Sequence, residues 1–253
     1  MRTAIISDIH GNFEALTAVL GDIDAQGVDQ IVCLGDVLGY GPDPVACADL
    51  IAERCAWCLM GNHDFGVLYE PTNFNLAAEQ AAYWTRRRFD EETDEAAKAR
   101  RLEFLNGLKV RKAFDSFVCV HASPRRPINE YIFPEDALNS PVKMQQIFDW
   151  VPQYCMVGHT HVPGVFTNEP EFYPPADFEG TYKLSDDEKA IINPGAVGQP
   201  RDLDPRASYA VLDDEARTVS FHRLEYDIET VVEKIKAIPD LSDWLGERLR
   251  EGR

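Results

Sequence analysis

Short apolar runs alternate along this chain with stretches whose apolar residues recur every three or four positions. The runs "TAIIS" (3–7), "QIVCL" (30–34) and "AWCLM" (56–60) predict buried strands. Between the first two, Phe13, Leu16, Leu20 and Ile23 keep helical spacing, with Asn12 placed to cap that helix and Glu14 in its first turn. A second helix is expected from about Val45 to Arg54, after the turn "GPDP". Residues 73–106 read as two helices joined by the acidic stretch "DEETDEAA". Further strands are expected at 109–114, 116–120, 154–157, 190–193, 208–212 and 218–224, with a helix near 135–149 and one or two more over 227–250. Strands alternating with helices signal an α/β fold with a parallel or mixed sheet. No linker or internal repeat interrupts the pattern, so the expectation is one domain over 1–253.

Each of five strands runs into a polar cluster. The first ends in Asp8 and His10, the second in Asp36, and the third in Asn62, His63 and Asp64. Strand 116–120 ends in His121, and strand 154–157 in "GHTH", with His159 and His161. Five of the six histidines fall in these clusters; only His222, on an alternating strand, lies elsewhere. In open α/β sheets, sites form beyond the carboxyl ends of strands, so the clusters are expected to share one crevice. Residues i and i+2 of an extended backbone point the same way. On that reasoning Asp8/His10 and His159/His161 each aim two side chains into one pocket. Alone, each cluster has a plain structural explanation: a capped turn, a hydrogen-bonded histidine, a tight Asx turn at "GNHD". Together and in this order they point to a metal site.

Imidazole nitrogen with carboxylate and amide oxygen, and no thiolate, suits Mn, Fe, Co, Ni or Zn. Asp8, His10, Asp36, Asn62, His121, His159 and His161 are too many donors for one tetrahedral ion with an open position. Seven fit two ions about 3.5–4 Å apart, bridged by a carboxylate. One rival is a single-metal hydrolase or oxygenase built on His159, His161 and one carboxylate.

Charge narrows the partners. Forty-three acidic and 25 basic residues leave a net charge of −18, which repels nucleic-acid duplexes and anionic membranes. The basic groups at Arg86–Arg88 and Arg125–Arg126 are too short to reverse this. An anionic substrate would need a local positive centre, and a metal site could supply one. No apolar run is long enough to span a bilayer, and the N-terminal stretch reads as a strand, not a secretion signal. A cytoplasmic location is expected. Cys33, Cys119 and Cys155 lie in strand-like runs as small buried thiols. The C-x-x-C at Cys55–Cys58 leads into "LMGNHD" and not into an expected helix start, which disfavours a redox motif.

The five blocks D-x-H, G-D, G-N-H-D, a strand-end His and G-H-x-H resemble the calcineurin-like metallophosphoesterases. The resemblance is closer to a bacterial and archaeal branch of single-domain members, through "GDVLGYGPDP" (35–44), "FNLAAEQAAYWTR" (74–86), "VHASP" (120–124), "NEYIF" (129–133), "NPGAVGQPRD" (193–202) and "LGERLREG" (245–252). It implies a four-layer α/β/β/α sandwich of two mixed sheets flanked by helices. It implies one metal on Asp8, His10, Asp36 and His161 and a second on Asn62, His121, His159 and a bridging Asp36. It also implies a metal-bridging hydroxide as nucleophile, with His63 as the acid and Asp64 orienting it. In most relatives a Gly follows the strand-end His; here it is Ala122. Protein phosphatases of the superfamily carry a phosphate-gripping Arg in the second block, and here that block reads Gly35-Asp36-Val37-Leu38-Gly39-Tyr40. The expected function is therefore phosphoester hydrolysis, with phosphodiesters or nucleotides favoured over phosphoproteins. The alternatives are a phosphomonoester or protein phosphatase and a non-catalytic scaffold of the same fold. Arg201 is the replacement phosphate clamp, against a plain salt bridge to Asp202 or Asp204, and Tyr40 is a second substrate contact. A helical insertion at about 65–107 lies beside the site, where Phe74, Asn75, Tyr83 and Trp84 contact either substrate or core.

Overall fold

The computed structural model describes residues 1–114 and 116–253. The chain forms two mixed six-stranded sheets. In the first, β3 (Trp57–Cys58), β2 (Gln30–Cys33), β1 (Arg2–Ile6), β11 (Ala207–Asp213), β12 (Thr218–Leu224) and β9 (Thr181–Lys183) lie in that order. In the second the order is β4 (Arg111–Phe114), β5 (Phe117–Val120), β6 (Tyr154–Met156), β10 (Ala190–Asn193), β7 (Gly164–Thr167) and β8 (Phe172–Tyr173). Strands β1, β2 and β3 run parallel to one another, as do β5, β6 and β10. Each set therefore delivers its carboxyl ends to one edge.

Side-chain alternation explains the continuous apolar runs. In β1 and β2, Ile5 and Val32 face the other sheet, where they pack with Phe117, Cys119, Tyr154, Met156 and Ile192. Their neighbours Ala4, Ile6, Ile31 and Cys33 face outward onto Leu16, Val19, Leu20 and Ile23 of α1 (Phe13–Gln26) and Cys47 and Ile51 of α2 (Pro44–Arg54). In the second sheet Val118, Val120, Cys155 and Ile191 face Met144, Ile147 and Phe148 of α7 (Pro141–Phe148). Strands buried on both faces cannot alternate apolar with polar residues. The result is the four-layer α/β/β/α sandwich.

Local signals act where expected. Asn12 caps α1 by accepting the N–H of Ala15, and Gly27 ends it in the left-handed conformation. Residues 73–106 form α4 (Leu76–Asp90) and α5 (Glu95–Gly107), each capped by an Asx side chain, Asn75 and Asp94. The acidic stretch supplies their junction. Three features differ from the sequence expectation. "GNHD" is not a tight turn but opens helix α3 (Asn62–Leu68). The helix near 135–149 is two, α6 (Asp136–Asn139) and α7, because Pro141 starts a new helix at its first position. Strands β7, β8 and β9 were not expected, since Gly164, Glu171, Pro174, Thr181 and Lys183 break or bound their apolar residues; pairing to β10, β7 and β12 forms them. The chain closes with α8 (Ile228–Lys236), α9 (Trp244–Glu247) and a 3₁₀ turn, Arg248–Glu251.

Candidate metal centre

All seven expected ligands meet where the parallel strands of both sheets end. Donor atoms of Asp8, His10, Asp36 and His161 lie within 4.8 Å of one another, and so do those of Asp36, His121 and His159. Asp36 belongs to both groups. The amide oxygen of Asn62, at the start of α3, is 3.3 Å from His121 Nε2. All of these His and Asp side chains are buried.

The backbone that presents them is not extended. Asp8 (φ 56°), His10 (φ 50°), Asp36 (φ 53°), His159 (φ 67°) and His161 (φ 63°) all occupy the left-handed region. The argument that i and i+2 share one face of an extended strand therefore fails, although both members of each pair still reach the centre. Left-handed non-glycine residues are uncommon and costly, and they persist where surrounding bonds over-determine them. Those bonds are present. His10 N–H donates to the carbonyl of Asp36 at 3.0 Å, and Asp8 N–H to that of Gly35 at 3.0 Å. The His159 N–H donates to the Asp8 carboxylate at 3.1 Å. Asn193, at the end of β10, donates its amide to Gly158 O at 2.8 Å and Thr160 Oγ1 at 2.9 Å, bracing the "GHTH" loop. Glycine is required at position 61, because a β-carbon there would overlap the Asp36 carboxylate.

Three imidazoles are oriented alike. Nδ1 of His10, His121 and His161 bonds to the carbonyls of Leu38 (3.1 Å), Leu34 (3.0 Å) and Gln199 (2.5 Å). Each Nδ1 thus carries a proton, and each Nε2 is turned inward, where a metal-bound histidine presents its lone pair. Nε2 of His10 and His161 face each other at 3.2 Å. His159 Nε2 is buried with no partner among the described residues. Buried polar atoms are normally satisfied, so inward lone pairs with no hydrogen to accept fit divalent cations.

Burial drives His10 well below the usual imidazole value, and burial with the nearby Arg201 lowers His161. Burial pushes His159 down to about 3 and His63 to about 4. His121 is the exception: burial opposes its charge, but the Asp36 carboxylate at 3.3 Å and Asp8 raise it to about 9. Burial would raise Asp8 and Asp36, yet the surrounding imidazoles hold both carboxyls below their ordinary range.

Asp64 does not orient His63. Its carboxylate accepts three backbone N–H groups, from Asp36 (2.8 Å), Leu38 (3.0 Å) and Gly61 (3.0 Å). As the third residue of α3 it bonds back over the helix start, which leaves it turned away from the His63 ring. His63 Nδ1 has no partner among the described residues. Instead the ring is held between Tyr40 (centroids 4.3 Å apart) and Phe74 (4.5 Å).

Arg201 makes neither of the salt bridges weighed for it. Asp202 pairs with Arg223 and Asp204 with Arg206. The Arg201 guanidinium lies 5.8 Å from the centre of the Tyr40 ring and donates to Gln199 Oε1 at 2.7 Å, while its Nε is buried without a partner. Of the residues weighed in the insertion, Trp84 is core, Asn75 caps α4 and Tyr83 sits 5.3 Å from Arg86; only Phe74 reaches the site. Tyr131, Asn193, Gln199 and Arg248 were not singled out, though they fall within the quoted blocks "NEYIF", "NPGAVGQPRD" and "LGERLREG". The Tyr131 ring stacks on His159 at 3.9 Å. Burial and the neighbouring Arg201 lower Arg248 to about 10.

Comparison with known proteins agrees with this geometry. Residues 1–163 match the sequence profile of the calcineurin-like phosphoesterases. Over 253 residues the chain is 39% identical to the uncharacterized protein MJ0912 of Methanocaldococcus jannaschii, covering 99% of this chain and 98% of that one. A crystal structure of a metallophosphoesterase from Sphaerobacter thermophilus is similar at 38% identity and a TM-score of 0.83, covering 100% and 99% of the two chains. The hypothetical protein PH1004 of Pyrococcus horikoshii shares the fold at 18% identity, with a TM-score of 0.76 and 100% and 98% coverage. On sequence, fold and the convergence of all five blocks, the chain belongs to the calcineurin-like phosphoesterase family.

Proposed function

We propose that this chain is a two-metal phosphoester hydrolase acting on phosphodiesters or nucleotides in preference to phosphoproteins. The observation that carries the reading is Asp36, which belongs to both donor groups at once. A carboxylate in that position is what a bridged pair of ions needs. Asp8, His10 and His161 would hold one ion with Asp36; Asn62, His121 and His159 would hold the other. The single-ion rival is disfavoured because His159 and His161 fall in different groups. When bound, divalent cations supply Lewis acidity and lower the pKa of water to near neutrality.

The protein's own groups supply the rest. Arg201, free of carboxylate partners among the described residues, binds a non-bridging phosphate oxygen and replaces the arginine absent from Gly35–Tyr40. His63, clamped between Tyr40 and Phe74, delivers a proton to the leaving oxygen. Tyr40 touches both residues, its ring 4.3 Å from that of His63 and 5.8 Å from the Arg201 guanidinium. A small phosphoester fits the net charge of −18 better than a nucleic-acid duplex does. Six free cysteines suit a reducing cytoplasm.

The test is metal content and turnover together. Chelated protein reloaded with manganese, iron, cobalt, nickel or zinc should bind two ions per chain. It should cleave bis-nitrophenyl phosphate faster than nitrophenyl phosphate, and cyclic nucleotides and dinucleoside polyphosphates complete the comparison. One ion per chain refutes the two-metal reading. Two ions with no hydrolysis of any phosphoester indicates a scaffold.

A further inference from the structure

A cavity of about 410 Å³ opens beside Asn62 and His159. Pockets of this size hold small organic ligands. Its apolar wall includes Phe65, Phe74, Ile128 and Tyr131. Two of those rings are fixed against the centre itself: Phe74 on His63 at 4.5 Å and Tyr131 on His159 at 3.9 Å. A group attached to a phosphate at the centre would therefore meet aromatic faces first.

The polar lining selects among apolar groups. Asn73 and Asn129, both exposed, also line this cavity, and their carboxamides bond to no other described residue. Each offers a donor and an acceptor on one edge, the pattern that pairs with a nucleobase edge. Arg126 and Glu70 bring one charge of each sign to the same cavity, so it favours a neutral group over a second anion. We infer that this cavity is the subsite for a nucleobase, seated on Phe74 and Tyr131 and read by Asn73 and Asn129. The inference rests on the reading of the centre as a phosphoester site.

The experiment compares ligands that differ only in the organic group. Calorimetry on the manganese-loaded protein would measure adenosine 5′-monophosphate against methyl phosphate. The nucleotide should bind about a hundredfold tighter or more, the combined scale of base stacking on aromatic side chains and two edge hydrogen bonds. In Asn73→Gly/Asn129→Ala, where glycine keeps the left-handed backbone of position 73 (φ 63°), that preference should fall about tenfold with methyl phosphate affinity retained. Equal affinity for the two ligands in the unaltered protein overturns the subsite. So does an undiminished preference in the double variant; if that variant misfolds, Asn129→Ala alone decides. Binding is read without turnover, so a protein that prefers the nucleotide but hydrolyses nothing would refute the enzymatic reading and leave the subsite standing.

Discussion

Asp64 and Asp36 are locked together through the backbone. Asp64 accepts the Asp36 N–H at 2.8 Å, and Asp36 accepts the N–H of His63, the residue before Asp64, at 2.8 Å. The loop after β2 and the start of α3 thus hold each other. Asp36, the shared residue of the two donor groups, cannot turn without breaking this exchange.

That exchange predicts a stability effect. Asp64→Asn turns an amide N–H₂ toward backbone donors and leaves at least one buried N–H unsatisfied. The loss should be about 1–3 kcal/mol, read from denaturant unfolding of the metal-free protein. Weakened metal retention should accompany it. Unchanged stability would mean that the carboxylate is not the brace described here.

His63 predicts a leaving-group effect. His63→Gln should reduce turnover by about 10²–10⁴-fold for an alkyl or nucleoside ester, the range of general-acid catalysis. Nitrophenolate needs no proton, so bis-nitrophenyl phosphate should lose much less. Equal losses on both would remove His63 from the acid role.

His121 predicts proton release. Its folded value of about 9 lies above the ordinary 6.5. Its proton therefore stabilises the metal-free protein fully below about pH 6.5, and that contribution is lost as pH rises through about 9. His10, His63, His159 and His161 are lowered and already neutral. Metal loading at pH 7.5 should thus release about one proton per chain from His121, measured by calorimetry in buffers of different ionisation enthalpy. No release would refute the assignment.

Arg201 predicts a binding effect. Arg201→Gln should raise KM for phosphodiesters about ten- to hundredfold, the scale of a hydrogen bond to a charged group. Metal content should not change, since Arg201 donates to no ligand side chain. Arg201→Lys should restore part of the loss. An unaltered KM would reduce Arg201 to packing against Tyr40.

Much of the fold was legible because buried parallel strands write themselves as unbroken apolar runs, as in Ala4–Ile6 and Val118–Val120. Strands β7 to β9 were not legible, since Gly164 opens the first, Glu171 and Pro174 flank the second, and Thr181 and Lys183 interrupt the third, so none writes an unbroken apolar run. The candidate ligands were legible because imidazoles and carboxylates immediately after apolar strands have few reasons to be there. Tyr131 and Asn193 were not, because a single Tyr in a loop or a single Asn ending a strand has no distinguishing neighbours in sequence.

The sequence by itself determined the donor set, its placement at strand ends and the chemistry those donors support, because side-chain identity and hydrophobic period are local properties. Tertiary structure alone decided how the donors are presented and who holds them. The left-handed turns at Asp8, His10, Asp36, His159 and His161, the attachment of Asp64 to backbone instead of to His63, and the freedom of Arg201 from its acidic neighbours all depend on long-range bonds. Each joins residues tens of positions apart or reflects partners taken elsewhere in the fold, and no local pattern encodes such a choice.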